Sequence, residues 1–303
     1  MALKNLKSPP STLQTFIHSL LGLALAFILG VTLLITNLTQ MASLLLLPFS
    51  RKIFREINRR CARSWWASCV LYLKYIHGVQ LKVSGDFIPA RENALVIVNH
   101  QGMTDVFPLL MLAYQKDSLG DLKWFVKDVI KYIPGIGWGM LFLDCLFVKR
   151  SWNQDQKNIQ KTFARFKTNQ IPLWLISFVE GTRITPEKLK KSQIYSQKQG
   201  LPVLKNCMIP KTKGFVASVH GLSTSISAIY DVTLIYRQGV PSVFQLIFGQ
   251  FKEFEIHIKR SLVRDLPSDS KDLSQWLIDR YVEKDHLIST LSSDPLIRHS
   301  SQS

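Results

Sequence analysis

Short apolar runs alternate with helical patterns through the middle of the chain. Seven runs have the length and the β-branched content of strands, and four stretches between them repeat apolar residues at helical spacing. Strands that alternate with helices predict an α/β fold with a mostly parallel sheet flanked by helices, whose ligand cleft lies at the carboxyl ends of the strands. The predicted strands are 79–83, 94–98, 122–126, 145–148, 174–178, 228–236 and 254–258, and the predicted helices are 106–115, 154–167, 186–199 and 214–222.

A long uncharged stretch precedes this part of the chain. Residues 8–50 hold no Lys, Arg, Asp or Glu, and residues 16–35 are apolar over about 20 positions, enough to cross a bilayer as a helix. A secretory signal peptide is the alternative, but the run is long, shows no small-residue cleavage site and is followed by a basic segment. We therefore predict an N-terminal membrane-anchoring helical segment. Residues 41–48 are too short to span alone and predict an interfacial or re-entrant piece.

The basic segment fixes an orientation for that anchor. It carries six cations against the single acid Glu56, whereas only Lys4 and Lys7 precede the anchor. The positive-inside rule then places the rest of the chain on the cytosolic side. Residues 53–76 continue as a helical pattern with Trp and Tyr, and two interpretations stay open: a helix in the headgroup region, or a core helix with a solvated basic face. The six cations are Arg51, Lys52, Arg55, Arg59, Arg60 and Arg63.

Composition adds an anionic partner to this picture. The net charge is +17, 47% of residues are hydrophobic and only 19% are charged, so part of the chain is expected to meet lipid. Nucleic acid and an anionic membrane surface are both candidate partners. The uncharged N-terminal stretch favours the membrane, and no nucleic-acid recognition motif is present. The four cysteines show neither a CxxC pattern nor metal-ligand pairing, which predicts free thiols and no metal site.

The remaining patterns divide the chain into three parts. Residues 271–291 repeat apolar positions at helical spacing and predict a C-terminal amphipathic helix, and the tail from 292 is expected to be disordered. The expected units are 1–77, anchor and basic helix; 78–260, the α/β domain; and 261–303, helix and tail. The glycines of residues 134–139 resemble a nucleotide loop, but they do not follow a predicted strand, so they predict a turn.

Candidate chemistry lies where the buried strand at 94–98 ends. His100 follows that strand, and Asp105 follows five positions later, after Gly102, which permits a tight bend. An acid folded back onto the ring fixes its tautomer and stabilises the imidazolium formed when the free nitrogen takes a proton from a hydroxyl. The spacing alone is weak evidence, because chance produces about half such a match in this chain. A histidine that merely caps a loop is the alternative.

Four sequence blocks, in order, resemble those of the glycerophospholipid acyltransferases, the lysophosphatidic acid acyltransferase superfamily. They are NHQGMTD at 99–105, FVKR at 147–150, FVEGTR at 178–183 and IPK at 209–211. Four ordered blocks are more specific than any one alone. Residues 201–205, 210–215 and 230–233 also resemble the eukaryotic branch that includes lysophosphatidylinositol and lysocardiolipin acyltransferases. Many members have Pro where this chain has Val179.

The resemblance implies transfer of a fatty acyl group from acyl-CoA, a co-substrate, to the free hydroxyl of a lysophospholipid, with no cofactor or metal. It implies His100 as the general base and Asp105 as the acid that orients it, without a covalent acyl-enzyme. The third block is implied to hold the phosphate of the acceptor, with Arg183 as a bidentate fork and a buried structural Glu–Arg pair as the alternative. That block contributes Glu180, Gly181, Thr182 and Arg183.

Further cations flank these blocks. Lys127 resembles the lysine before the family's Pro-x-x-Gly segment, and it or backbone N–H groups near Gly181 can donate to the developing oxyanion. Lys149 and Arg150 leave the strand at 145–148 as second candidates for phosphate. An ordinary surface position is the alternative for each of these side chains.

The implied partners are acyl-CoA, a lysophospholipid acceptor and the bilayer, and not nucleic acid. The expected location is a membrane, by resemblance that of the endoplasmic reticulum, with the catalytic domain facing the cytosol. A membrane-bound scaffold or trafficking factor that retains the fold is the alternative function. The presence of His100, Asp105, Glu180 and Arg183 argues against it, because a binding module needs no base beside a phosphate fork.

Overall fold

One mixed sheet organises the protein. The structure, a computed structural model, describes residues 12–149 and 151–292. Its seven described strands lie in the order β1-β7-β6-β2-β5-β3-β4. The five strands from β6 to β4 are mutually parallel, whereas β7 is antiparallel to β6 and parallel to the edge strand β1. The strands are β1 (Gln80–Gly85), β2 (Ala94–Val98), β3 (Leu122–Lys127), β4 (Leu146–Val148), β5 (Trp174–Ser177), β6 (Ala228–Ile235) and β7 (Glu253–Leu262).

The central strand β2 explains why helices cover both faces of the sheet. All five of its side chains are fully buried. Successive side chains of a strand point to opposite faces, so Leu95 and Ile97 enter one core while Ala94, Val96 and Val98 enter the other. A continuous apolar strand of this kind is stable only when both faces are covered. The mostly parallel sheet flanked by helices is therefore confirmed.

The helices divide between the two faces. Helices α2 and α3 contribute to the core that holds Val96, and helices α5, α7 and α9 contribute to the core that holds Leu95. The helices are α1 (Thr12–Ser43), α2 (Arg51–Leu71), α3 (Val106–Gln115), α4 (Ile136–Phe142), α5 (Trp152–Thr168), α6 (Pro186–Lys198), α7 (Thr212–Leu222), α8 (Val243–Ile247) and α9 (Ser270–Ser292).

The N-terminal helix is longer than the apolar run predicts. Within α1 and the turn after it, Leu20–Leu46 is long and apolar enough to cross a membrane by length and composition. The predicted separate piece at 41–48 is absorbed: residues 41–43 complete α1, and Leu44–Leu46 form a 3-10 turn. Helix α2 then runs back against α1, with its second half in the core through Ala62 and Val70, so that half is a core helix.

The glycine-rich segment at 134–139 is not only a turn. A 3-10 turn (Asp128–Tyr132) comes first, and Gly135, with φ of +82°, is the residue before the first residue of α4. A Cβ at Gly137 would collide with the carbonyl of Ile130, so this glycine lets the helix pack against the preceding turn. The prediction missed α4 because it treated these glycines as loop residues, whereas here they permit close packing.

The C-terminal helix α9 contacts two central strands, at the end of β2 and in the middle of β6. The hydroxyl of Tyr281 donates to the carbonyl of Val98 at the end of β2, at 3.1 Å. Lys284 is almost fully buried; its Nζ lies 2.7 Å from Asp231 Oδ1 on β6 and donates to the carbonyl of Val232 at 2.6 Å. The tail from 293 lies outside the described residues. A buried cation that meets both a carboxylate and a carbonyl fixes α9 against the sheet.

Replacing Lys284 by Met should destabilise the protein by about 3–5 kcal/mol, because Asp231 would remain as a buried charge without its partner. The thermal unfolding midpoint of the purified protein in detergent measures the loss. Lys259 pairs at 2.9 Å with Glu283 on the exposed side of the same helix, and both side chains are about half exposed. Lys259→Met should therefore cost less than about 1 kcal/mol. Equal losses in the two variants would contradict the structural role of the buried pair.

Candidate active site

The strand end that carries His100 is held by its neighbour on β6. Asn99 Nδ2 donates to the carbonyl of Leu234 at 3.1 Å, and the amide of Leu234 donates back to Asn99 Oδ1 at 2.8 Å. The asparagine side chain thus replaces a backbone pair at the point where β2 leaves the sheet. As a consequence, the chain turns and His100 stands at the carboxyl edge of the sheet.

Asp105 folds back onto the loop that carries His100. Its Oδ2 lies 2.9 Å from His100 Nδ1 and accepts the amides of Gln101 and Gly102 at 2.6 Å and 2.9 Å. Its Oδ1 accepts the hydroxyl of Tyr236 at 2.8 Å. The carboxylate is completely buried, and four donors compensate for its lost hydration. The His100 ring is therefore held in one orientation.

This contact also sets the tautomer of the imidazole. A carboxylate only accepts, so Nδ1 carries the hydrogen and Nε2 keeps its lone pair. The ring stacks on Phe178, with centroids 4.0 Å apart and planes inclined by 19°, and the side chain is 18% exposed. Burial and the nearby Asp105 charge raise the pKa of Tyr236 far above its usual range, so its hydroxyl remains a donor. The arrangement presents one basic nitrogen to the outside.

Glu180 faces inward and does not pair with Arg183. Its Oε1 accepts the amide of His100 at 3.0 Å, and its Oε2 accepts the amide of Met208 at 3.2 Å. Burial raises the pKa of this carboxyl to about 7, against the lowering effect of the two amides and of Lys284. Glu180, which the resemblance places in the block that holds the acceptor phosphate, is buried and joins three loops behind His100. The alternative, a buried pair with Arg183, is not formed.

Gly181 makes the turn that follows Glu180. Its φ is +76°, and its amide donates to the carbonyl of Phe178 at 2.8 Å. That N–H is thus already engaged and is not free to donate to an oxyanion. A Cβ at this position would stand 3.0 Å from Lys211 Nζ. The left-handed backbone favours glycine here, and the side chain of Lys211 lies close against it.

Cations collect beside this turn. Lys188 Nζ donates to Thr182 Oγ1 at 2.8 Å and to the carbonyl of Arg183 at 3.2 Å. The amide of Lys211 donates to the carbonyl of Val179, and its side chain crosses Gly181. Arg183 itself is exposed, and the amide of Ile184 beside it donates to the carbonyl of His100 at 2.8 Å. We call Arg183, Lys188 and Lys211 the cationic rim.

Other predicted cations stand further along the same edge. Lys127 is exposed at the end of β3, and it pairs in register with Val148 at the end of β4. Lys149 follows β4, is exposed, and donates its amide to Asp155 Oδ1 at 2.8 Å. Arg150 lies outside the described residues. Within the part of the chain that is described, no group of three or more His, Cys, Asp or Glu side chains is placed to hold a metal.

Three side chains at this site escaped the sequence reasoning. Tyr236 was visible only as the last residue of a predicted strand, and Lys188 only as part of a basic helix. Lys211 belongs to the fourth block, but nothing in its spacing indicates that it crosses Gly181. The one local signal is Gly181 itself, because glycine is common where another group approaches the backbone closely.

Glu180 should make the protein less stable as the pH rises from about 4.5 to about 7. The folded protein retains the proton in this window while the unfolded chain releases it, so unfolding becomes easier as pH rises. The shift corresponds to roughly 3 kcal/mol. The thermal unfolding midpoint should fall between about pH 5 and about pH 8, and the fall should be larger for the wild type than for Glu180→Gln.

A matched control for this measurement is Glu187→Gln, which changes an exposed glutamate of α6. Its pH dependence should follow that of the wild type. Parallel curves for the wild type and Glu180→Gln would contradict the assignment of the raised pKa to Glu180.

Comparison with known proteins places this site in a family. Residues 80–234 match the family model described as acyltransferase, and residues 245–293 match the model described as acyltransferase C-terminus. The chain is 36% identical over 262 residues to 1-acyl-sn-glycerol-3-phosphate acyltransferase 2 of Brassica napus, covering 84% of this chain and 67% of that protein. It is 32% identical over 279 residues to 1-acyl-sn-glycerol-3-phosphate acyltransferase gamma of Homo sapiens, covering 90% and 73%.

A solved structure agrees in fold. The crystal structure of the 1-acyl-sn-glycerophosphate (LPA) acyltransferase PlsC from Thermotoga maritima superposes with a TM-score of 0.56 at 17% identity, covering 92% of this chain and 98% of that one. At this identity the likeness concerns the fold alone. With the family model spanning half of the chain and relatives above 30% identity, the chain belongs to the acyltransferase family of enzymes.

Proposed function

We propose that the protein transfers a fatty acyl group from acyl-CoA to the free hydroxyl of a 1-acyl-sn-glycerol-3-phosphate-type lysophospholipid. The observation that carries this proposal is the imidazole of His100, oriented by a buried Asp105 and placed beside the cationic rim. The printed names of the relatives, which are 1-acyl-sn-glycerol-3-phosphate acyltransferases, support the choice of acceptor. No cofactor enters the proposed reaction.

The chemistry begins with a hydroxyl that is a poor nucleophile at neutral pH. His100 Nε2 takes its proton while the oxygen attacks the carbonyl carbon of the thioester. Asp105 stabilises the imidazolium that forms, through the 2.9 Å contact with Nδ1. The tetrahedral intermediate then collapses, the C–S bond breaks, and the CoA thiolate leaves and receives the proton from His100. The acceptor oxygen is itself the nucleophile, so no acyl-enzyme is formed.

The cationic rim suits the phosphate of the acceptor. Arg183 can form a planar bidentate contact with phosphate oxygens, and Lys211 and Lys188 add charge beside it. The amide of Gly181 is engaged, so the stronger candidate for the oxyanion donor is Lys127 at the end of β3. Lys149 and Arg150 remain second phosphate candidates. Gly181 and Thr182 contribute by shaping the rim and by holding Lys188.

We further propose that the enzyme works at a membrane. Support comes from the apolar segment Leu20–Leu46 and from the cations of α2 that follow it. A location in the endoplasmic reticulum, with the site facing the cytosol, accords with a lysophospholipid acceptor and with the positive-inside rule. Acceptor and product are lipids, so a site at the bilayer surface lets both exchange without crossing water.

His100→Ala should lower the rate of acyl transfer by about 10²- to 10⁴-fold, because the base that activates the hydroxyl is lost. The measurement is the transfer of labelled oleate from oleoyl-CoA to 1-oleoyl-sn-glycerol-3-phosphate by purified protein in detergent. Asp105→Asn should also lower the rate of acyl transfer, because the asparagine amide no longer fixes Nδ1 of His100 as the donor nitrogen of the ring. His286→Ala, at an exposed position of α9, is the control and should keep wild-type activity. Unchanged transfer by His100→Ala would rule out the mechanism.

Arg183→Ala should raise the KM for the lysophospholipid acceptor by about 10- to 100-fold while changing the KM for oleoyl-CoA less, because a charged hydrogen bond to phosphate is removed. Arg183→Lys should recover part of the loss, since it keeps the charge without the fork. Arg264→Ala removes an exposed arginine beyond the far end of β7 and is the matched control. An acceptor KM equal to that of the wild type would exclude Arg183 from the phosphate site.

A further inference from the structure

The cationic rim has an uncharged counterpart on the other side of His100. Between Arg237 and Lys252 the chain contains no Lys, Arg, Asp or Glu, although the whole protein carries a net charge of +17. This stretch follows β6. In the cationic rim, Arg183 and Lys188 follow β5, and Lys211 lies on a later segment that pairs with Val179 just after β5. Strand β2, which ends just before His100, lies between β6 and β5. The base therefore stands between a charged side and an uncharged one. We call residues 238–251 the uncharged rim.

The uncharged rim touches the loop that carries the base. Thr104 Oγ1 donates to the carbonyl of Pro241 at 2.9 Å. The side chain of Val240 packs over Gly102 so closely that a Cβ at that glycine would collide with it. Gly102 lies two residues after His100, and Val240 is nevertheless 39% exposed. An apolar side chain that is both open to the outside and against this loop borders the space that a substrate must enter.

Four residues after Val240, a second apolar group of the uncharged rim reaches helix α1. Phe244 is 68% exposed and stacks on Phe248, with centroids 6.3 Å apart and planes inclined by 21°. Phe248 in turn packs on Gly22 of α1, where a Cβ would lie 3.5 Å from its ring. Gly22 belongs to the apolar segment Leu20–Leu46. Apolar side chains of the uncharged rim thus lie both beside the loop of His100 and against the helix that we propose lies in the membrane.

The backbone of the uncharged rim is fixed, so side-chain size sets the space above it. Ser242 caps α8: its hydroxyl accepts the amide of Gln245 at 3.1 Å, and Gln245 Oε1 accepts the amide of Ser242 at 2.8 Å. The carbonyl of Ile247 receives the hydroxyl of Tyr72 at 2.7 Å and lies 2.9 Å from His77 Nε2. A surface held in this way resists rearrangement when a flexible chain lies on it.

We propose that Val240 and Phe244 of the uncharged rim, together with the exposed Met103, contact the fatty acyl chain of the donor thioester and set the preference for its length. The inference rests on the proposed function. The thioester carbonyl must lie within reach of His100, and the phosphates of both substrates favour the cationic side. The hydrocarbon chain therefore leaves the base on the opposite side, across the uncharged rim towards α1. Each methylene that packs against this apolar surface adds a roughly constant amount to the binding free energy.

The test compares acyl donors in Phe244→Ala. The quantity measured is the ratio of kcat/KM for palmitoyl-CoA to kcat/KM for decanoyl-CoA, with 1-oleoyl-sn-glycerol-3-phosphate as acceptor. The ratio should fall by about tenfold, which corresponds to losing the cover of roughly two methylenes. The acceptor KM should stay within about twofold of the wild type, because the phosphate lies on the other side. Val240→Ala should shift the ratio in the same direction.

The matched control is Phe87→Ala, which removes an 80% exposed ring beyond β1, at the far edge of the sheet. Its donor ratio should equal that of the wild type. An unchanged ratio in both Phe244→Ala and Val240→Ala would overturn the inference. If these variants also bind phosphatidylcholine vesicles more weakly than the wild type, the uncharged rim contacts the bilayer and not the acyl chain of the donor. A wild type that acylates no acceptor would instead remove the proposed function, and this inference with it.

Discussion

A carboxylate without access to water lies at the centre of this protein. Taking a single charge out of water is unfavourable, so protein donors must replace the hydrogen bonds that water would make to Asp105. The loop supplies two amides, β6 supplies the hydroxyl of Tyr236, and His100 supplies its ring nitrogen. Satisfying the charge and orienting the imidazole are therefore one requirement, and the loop has a single geometry in which both are met.

The strand order distributes charge around that loop. Lys127 at the end of β3, Lys149 after β4 and Arg183 after β5 lie on one side of the loop, and the uncharged rim after β6 lies on the other. An amphiphilic substrate has its own division between phosphate and hydrocarbon, and a surface divided in the same way orients it before any contact is specific. In the proposed reaction, topology thus determines the direction from which the substrate meets His100.

Local patterns explain which features were predictable. The limits of β2 and α3 coincide with the predicted ones, because burial of a continuous apolar run and helical spacing are both properties of a few adjacent residues. The contact between His100 and Asp105 joins residues only five positions apart, so it is also a local feature. In contrast, Tyr236 and Lys211 reach the site from segments more than a hundred residues away from Asp105. Their arrival depends on strand order, for which the sequence has no local signal. The alternative of a buried Glu180–Arg183 pair rested on proximity along the chain, whereas Glu180 accepts the amide of the distant Met208.

The carboxylate of Asp285 caps the loop at 205–207, and this contact affects when the site can form during synthesis. Its carboxylate accepts three successive amides there, and the next residue, Met208, holds Glu180 against the backbone of His100. During synthesis, the ribosome delivers this acid some 180 positions after the imidazole that it indirectly supports. A nascent chain therefore contains its apolar N-terminal helix and His100 before it contains the acid that caps the loop behind His100, so this support can form only after Asp285 has been synthesised.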